Sequence, residues 1–212
     1  MAMVIATAAI SSVRGAPYGN DDGTIDTLPA LPAASGARLE PGQVSHADVL
    51  RAARRAQDGS AAAAAWLGLA YYYGDGVARD ASTALRYFTQ AAQGGHAGAA
   101  ANAGTMFLHG IGAAPDVQAA YAYFARADGD GEAALQAGRL LVSGSVGSHD
   151  REGATARALT FFETAVRAKV PAGYYYLGSM YEYGAAHVAA NFGTAAELYT
   201  QGCALVRDAL VS

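Results

Sequence analysis

Glycines recur in register along this chain, and their spacing restricts what it can fold into. Gly68, Gly104, Gly138 and Gly178 follow Leu67, Ala103, Ala137 and Leu177, and a second glycine stands six residues later at Gly74, Gly110, Gly144 and Gly184. Downstream of each pair comes a small, aromatic-rich pattern at i, i+3, i+4 and i+7: Ala84, Tyr87, Phe88, Ala91; Ala120, Tyr123, Phe124, Ala127; Ala158, Phe161, Phe162, Ala165; and Ala195, Leu198, Tyr199, Gly202. The first glycines are 36, 34 and 40 residues apart, and the first alanines 36, 38 and 37. A period of this size belongs to solenoids, in which each unit buries its apolar face only against its neighbours.

Each unit reads as two antiparallel helices. The i, i+3, i+4, i+7 pattern is one face of a 3.6-residue period and marks the second helix. The first helix holds a glycine in its interior, at a cost of about 0.5–1 kcal/mol relative to alanine. Four in register imply a close helix-to-helix approach, and the later glycines fall where that helix must stop. Asp80, Asp116 and Asn191 lie four residues before the first alanine of the stripe, where a side-chain oxygen can cap the second helix. In the third unit Ala154 takes that slot, and the longer loop 148–153 is expected to supply the cap instead.

Ahead of these units, Ser45 is placed to cap a helix through Val49, Leu50, Ala53 and Ala56 to Asp58-Gly59, matching the second helix of an incomplete unit. Its end aligns with Gln93-Gly94-Gly95, with Asp128-Gly129, and with Lys169, where the glycine is missing. Before residue 45 the chain has four of its six prolines, the acidic cluster Asp21, Asp22 and Asp26, and no apolar period. The expected organisation is a disordered arm at 1–44, a repeat domain at 45–205 with units near 60–94, 96–129, 130–168 and 170–203, and a C-terminal end at 206–212. Because the sequence stops directly after the fourth unit, without a polar capping helix, it reads as part of a longer protein.

Composition narrows the function. Hydrophobic residues make up 52% of the 212, with alanine the commonest among them. A net charge of −4 provides no basic face for a phosphate backbone, so nucleic acid is not an expected partner. The apolar run Met1–Ile10 is too short to cross a bilayer and lacks the basic start of a secretion signal; a signal remnant is the alternative, and no later segment approaches a membrane span.

With these residues laid out, the chain resembles the Sel1-like repeat family, α-solenoids related to tetratricopeptide arrays. Trp66-Leu67-Gly68, Gly74-Asp75-Gly76-Val77, Asp80, Ala84 and Ala91-Ala92 carry the likeness, which covers residues 46 to about 205. It implies an all-α, right-handed superhelical solenoid of about four helix-turn-helix repeats and a non-enzymatic scaffold that holds protein partners. The last unit, with Ala172, Tyr174, Leu177, Met180, Gly184, Ala195, Glu197-Leu198 and Cys203, and the segment Gln93-Gly94-Gly95-His96, are similar to the luminal adaptor of the ubiquitin ligase of endoplasmic-reticulum-associated degradation. That narrower likeness implies a ligase subunit or misfolded client proteins as partners and a location in the endoplasmic reticulum. The sequence departs from it by lacking a cysteine near Asn191 and any Asn-x-Ser/Thr site. A bacterial-type Sel1-like scaffold in signalling or envelope function, periplasmic or cytoplasmic, is the alternative.

No constellation for catalysis, a cofactor or a metal emerges. His46, His96, His109, His149 and His187 do not pair at ligand spacing, and read as surface or turn residues. Cys203, in the slot of Ala92, reads as a small buried side chain. Gly74-Asp75-Gly76 and Gly129-Asp130-Gly131 lack the Gly-Lys-Ser/Thr of a phosphate loop and read as turns. Thirteen tyrosines are the unusual surplus. Tyr71-Tyr72-Tyr73 and Tyr174-Tyr175-Tyr176 cannot all face inward, because consecutive helical residues point about 100° apart. Either they fill gaps between alanine-lined helices and expose only hydroxyls, or they form a concave surface that binds peptide segments. In the second case Tyr72, Tyr73, Tyr175 and Tyr183 are the expected partner contacts.

Overall fold

The computed structural model describes residues 44–146, 150–185 and 188–211. Among them the chain forms α1 (His46–Gln57), α2 (Ala61–Tyr73), α3 (Ala81–Gln93), α4 (Ala97–His109), α5 (Val117–Arg126), α6 (Gly131–Val142), α7 (Arg151–Arg167), α8 (Pro171–Tyr183) and α9 (Phe192–Val211). Their one extended pairing is an isolated antiparallel bridge between Ala185 and Val188, in the loop before α9. The expected all-α helix-turn-helix repeat is therefore present. Among the described residues the helices gather into two compact bodies, one with α1 to α5 and one with α6 to α9. Residues 1–43 of the expected arm lie outside the described residues. Val44 is already buried, its Cγ1 2.7 Å from where a Cβ on Gly76 would stand.

Helix boundaries follow from local chemistry. Ser45 and Asp48 make a reciprocal capping box: the Asp48 N–H donates to Ser45 Oγ at 3.2 Å, while the Ser45 N–H and hydroxyl donate to Asp48 Oδ2 at 2.9 and 2.7 Å. These bonds, with Arg51 beside the carboxylate, hold Asp48 below the ordinary carboxylate pKa. The expected second-helix caps are all in place. Asp80 Oδ1 accepts from Ser82 and Thr83, Asp116 Oδ1 from Ala119 at 2.9 Å, and Asn191 Oδ1 from Thr194 at 3.1 Å. In the third repeat Asp150 is the cap, accepting from Gly153 at 2.8 Å. Residues 151–153 are helical rather than loop, so α7 is one turn longer at its start than its counterparts.

Caps of the first helices were not foreseen from the sequence. Eight residues before each interior glycine stand Ser60, His96 and Asp130, which accept from the N–H groups of Ala63, Ala99 and Glu132 with Ala133. His96 uses Nδ1 at 3.1 Å, which requires a neutral ring. In the fourth repeat Val170 offers no side-chain cap, and Pro171 begins the helix instead, removing one orphan N–H. At the other end, α2 and α4 close on Gly74 and Gly110, in the left-handed region at φ 81° and 67°.

In the first body, α2 lies between α1 and α3 and is apolar on every side, as a helix enclosed by neighbours must be. Trp66, Leu67, Leu69, Phe88 and Met106 are its largest fully buried side chains. In the second body α6 pairs with α7, α7 packs on α8 and α8 on α9, with Phe162 fully buried. Each such ring contributes roughly 1.5–3 kcal/mol of transfer free energy before ordering costs.

Candidate partner-binding surface

The interior glycines position the aromatic residues. A Cβ on Gly68 would stand 2.5 Å from the Phe88 ring, on Gly104 2.7 Å from Phe124, on Gly138 2.5 Å from Phe162, and on Gly178 2.6 Å from Tyr199. In all four repeats the i+4 aromatic of the second helix thus packs closely on the bare backbone of the first. Three residues after the glycine, Tyr71 stacks on Tyr87 with centroids 5.7 Å apart, and Phe107 on Tyr123 at 5.4 Å. With these rings occupied against each other, the neighbouring tyrosines in the helix must turn elsewhere.

In the first body Tyr72 and Tyr73 share the last turn of α2 and meet edge-to-face at 5.1 Å. Both are half-buried against the core. The Arg79 guanidinium lies 5.8 Å from the Tyr72 centroid, and its Nε–H donates to the Tyr72 carbonyl at 3.0 Å. Burial raises the Tyr73 phenol above its ordinary pKa, with smaller contributions from Tyr72 and Asp75.

In the second body the tyrosine run splits as helical geometry requires. Tyr174 is buried over Gly202, whose Cβ would stand 2.9 Å from that of Tyr174, while Tyr175 is 61% exposed. Tyr176 stacks on Phe162 at 5.0 Å, with the Arg139 guanidinium 6.0 Å from its ring. Tyr175 meets Tyr176 edge-to-face at 5.5 Å and leans on Tyr199 at 5.9 Å. The Tyr199 hydroxyl donates to Glu182 Oε2 at 2.7 Å. Burial, then that bond and the Glu182 charge, push its pKa up to about 12, with Tyr175 and Tyr183 adding to the shift. Tyr183, at the end of α8, is 78% exposed.

The four nominated tyrosines therefore fall into two groups. Tyr72 and Tyr73 meet in the first body and are partly enclosed; Tyr175 and Tyr183 stand open on α8 near Tyr199. Sequence reasoning assigned Tyr199 to the core alone and did not single out Arg79 or Arg139. The signal for Tyr199 was its hydroxyl in a slot that the other repeats fill with phenylalanine.

Cys203 requires correction. It is exposed, not buried. Its counterpart Ala92 belongs to α3, which lies between α2 and α4, whereas the corresponding face of α9 is open. Among the described residues no group of three or more His, Cys, Asp or Glu side chains could hold a metal ion, and no helix is long and apolar enough to cross a membrane.

Comparison with known proteins agrees with this arrangement. The Sel1 repeat family matches residues 61–96, 97–127 and 171–205, the first, second and fourth repeats; the third, with its lengthened helix, lies between them. A protective antigen of uropathogenic Escherichia coli displaying an SLR fold superposes with a TM-score of 0.65 at 24% identity, over 75% of this chain and 34% of that one. A Sel1 repeat protein from Oxalobacter formigenes superposes with a TM-score of 0.63 at 22% identity, over 75% and 64%. The chain thus spans about a third and just under two thirds of these structures, and the likeness is one of fold. Comparison with curated proteins found no match. The family segments, the recurring glycine-on-ring packing and the fold agree: the chain belongs to the Sel1-repeat family.

Proposed function

We propose that this chain is a non-enzymatic, bacterial-type Sel1-repeat scaffold that binds protein partners through tyrosines on the first helices of its repeats. Repeat arrays of this kind serve protein–protein contact, and the similar solved structures are bacterial proteins. A place in the bacterial periplasm or cytoplasm accompanies that reading. The narrower role, an adaptor in endoplasmic-reticulum-associated degradation, gains no support from the family match or these structures, and the bacterial alternative is preferred.

The observation that carries the proposal is the exposure of Tyr175 and Tyr183 on a helix whose neighbouring tyrosines are packed. Exposed tyrosine brings large contact area at small entropy cost, as interface anchors do. Tyr72 and Tyr73 are secondary contacts, because their rings are already partly committed. The test begins with capture of partners by the purified chain and their identification by mass spectrometry. Affinity is then measured for Tyr175→Ala/Tyr183→Ala and for Tyr72→Ala. Loss of about thirtyfold or more in the first variant, with unchanged helicity and melting, supports the reading. Unchanged affinity in both returns the tyrosines to a packing role.

A further inference from the structure

One of the residues that cap the first helices responds to acid as its counterparts do not. Ser60, His96 and Asp130 hold equivalent places before α2, α4 and α6, and each accepts from N–H groups of the first turn. A serine hydroxyl accepts at any pH, and an aspartate accepts down to about pH 4. A histidine nitrogen accepts only while the ring is neutral, and that ring ordinarily gains its proton near about pH 6.5. In the 3.1 Å bond from the Ala99 N–H the acceptor is Nδ1, so protonation puts an N–H where the lone pair was, facing another N–H. The same proton sets a positive charge at the N-terminus of α4, where the helix dipole opposes it. The two effects add.

His96 also joins two repeats. Its backbone N–H donates to the Ala91 carbonyl at 3.0 Å, closing α3, and its own carbonyl accepts from Ala100 at 3.0 Å, opening α4. Between it and the end of α3 stand Gly94 and Gly95 alone. The helices packed against α4 are α2, α3 and α5. Their ionisable side chains are Tyr71, Tyr72 and Tyr73, then Arg86 and Tyr87, then Tyr121, Tyr123 and Arg126, and α4 itself adds His109 in its last turn. None of these is an anion at neutral pH. The equivalent turns between helices carry Asp58, after α1, and Asp128, after α5. A carboxylate beside the ring would raise the pH at which the proton arrives, but it could not restore an acceptor at Nδ1.

We infer that His96 makes the joint between the first and second repeats acid-labile, its protonation between about pH 7.5 and about pH 5.5 freeing the first turns of α4 while the neighbouring caps hold. Ser60 does not titrate in that interval, and Asp48 and Asp80 keep their charge to below the ordinary carboxylate range. Acid therefore loosens the first body at one joint before it reaches the carboxylate caps. The joint does not depend on the tyrosines proposed to bind partners.

The test is amide hydrogen exchange of the full chain at about pH 7.5 and about pH 5.5, corrected for the intrinsic pH dependence of exchange, in wild type and in His96→Asn. Asparagine caps through a side-chain oxygen that accepts at both pH values. In wild type the amides from Ala100 to Gly104 should exchange about tenfold faster at the lower pH, for the loss of one cap and the gain of one opposed charge. The matching stretch of α2, Ala64 to Gly68 behind Ser60, should not respond, and in His96→Asn neither stretch should. His96→Ser, which copies the first repeat, serves as a second variant, and the drop in urea midpoint between the two pH values should be smaller in both variants than in wild type. The inference is overturned if α4 does not respond in wild type, if α2 responds equally, or if the acid response of α4 survives in both variants.

Discussion

Tyr199 donates its hydroxyl to Glu182 across 17 residues of sequence, joining the end of α8 to α9 by a side-chain bond 2.7 Å long. In the other three repeats the equivalent ring is phenylalanine, and α8 lacks a side-chain cap at its start. Because the folded-state pKa of about 12 lies above that of a free phenol, this contact stabilises the fold fully below about pH 10 and is lost as pH rises through about 12. Tyr199→Phe should cost about 1 kcal/mol at pH 7 and flatten the alkaline loss of stability. In ultraviolet titration a phenol titrating near pH 12 should vanish. If the variant and wild type lose stability in parallel above pH 10, the bond has no such role.

The interior glycines should tolerate no side chain. Gly104→Ala gains up to about 1 kcal/mol in helix propensity, yet its Cβ would sit 2.7 Å from the Phe124 ring, and a net loss of about 1–2 kcal/mol is expected. Gly104→Leu should lose about 2–4 kcal/mol, because a branched chain must enter the same contact. Denaturant melts of both variants provide the check, and a leucine variant as stable as wild type would refute the packing role.

Lys169 is the one non-glycine residue with positive φ among those described, at 56°. Its counterparts Gly59, Gly95 and Gly129 adopt φ of 97°, 87° and 73° with nothing near their missing Cβ, so conformation and not space selects glycine there. Lys169→Gly removes a left-handed strain of about 1–2 kcal/mol and loosens the unfolded chain by somewhat less. A net gain of about 0.5–1 kcal/mol is expected by thermal or urea unfolding. A loss of stability would show that the side chain contributes more than the backbone costs.

Acid should act through the caps. Asp48 is held below its ordinary pKa first by the Ser45 hydroxyl, and Asp80 first by the Thr83 hydroxyl. A folded-state pKa below the unfolded one means that the stabilisation is present above about pH 4 and disappears as pH falls through the folded value. Asp80→Asn keeps an acceptor for Ser82 and Thr83 but cannot be protonated. Its acid unfolding limb should be shallower than that of wild type, and an unchanged limb would count against this cause.

What the sequence disclosed, and what it withheld, divides by range. Asp80, Asp116 and Asn191 were legible as caps because capping is settled within four residues. The interior glycines were legible as close contacts because repetition supplied the partner helix. Lys169 stood out as a missing glycine for the same reason. Cys203 was misread because burial depends on what covers a helix, and no local pattern records that. The split between buried Tyr174 and open Tyr175 followed from helical geometry in kind, but which ring would turn inward depended on Gly202, 28 residues away. His96 passed unnoticed because a histidine cap has no distinctive neighbours.

The lengthened α7 has a consequence for how such a chain can change. From cap to first stripe alanine the other repeats count four residues, and the third counts eight, from Asp150 to Ala158. Four added residues turn a helix by about 400°, some 40° past a full revolution, so Phe162 still lands on Gly138. One residue would have swung the same ring by about 100° and lifted it off its glycine. Between cap and stripe, length variation is therefore admissible in near-whole revolutions, and a gain or loss of one or two residues there is a more severe lesion than a gain of four, whereas the loop before the cap takes one extra residue in the fourth repeat with Tyr199 still on Gly178.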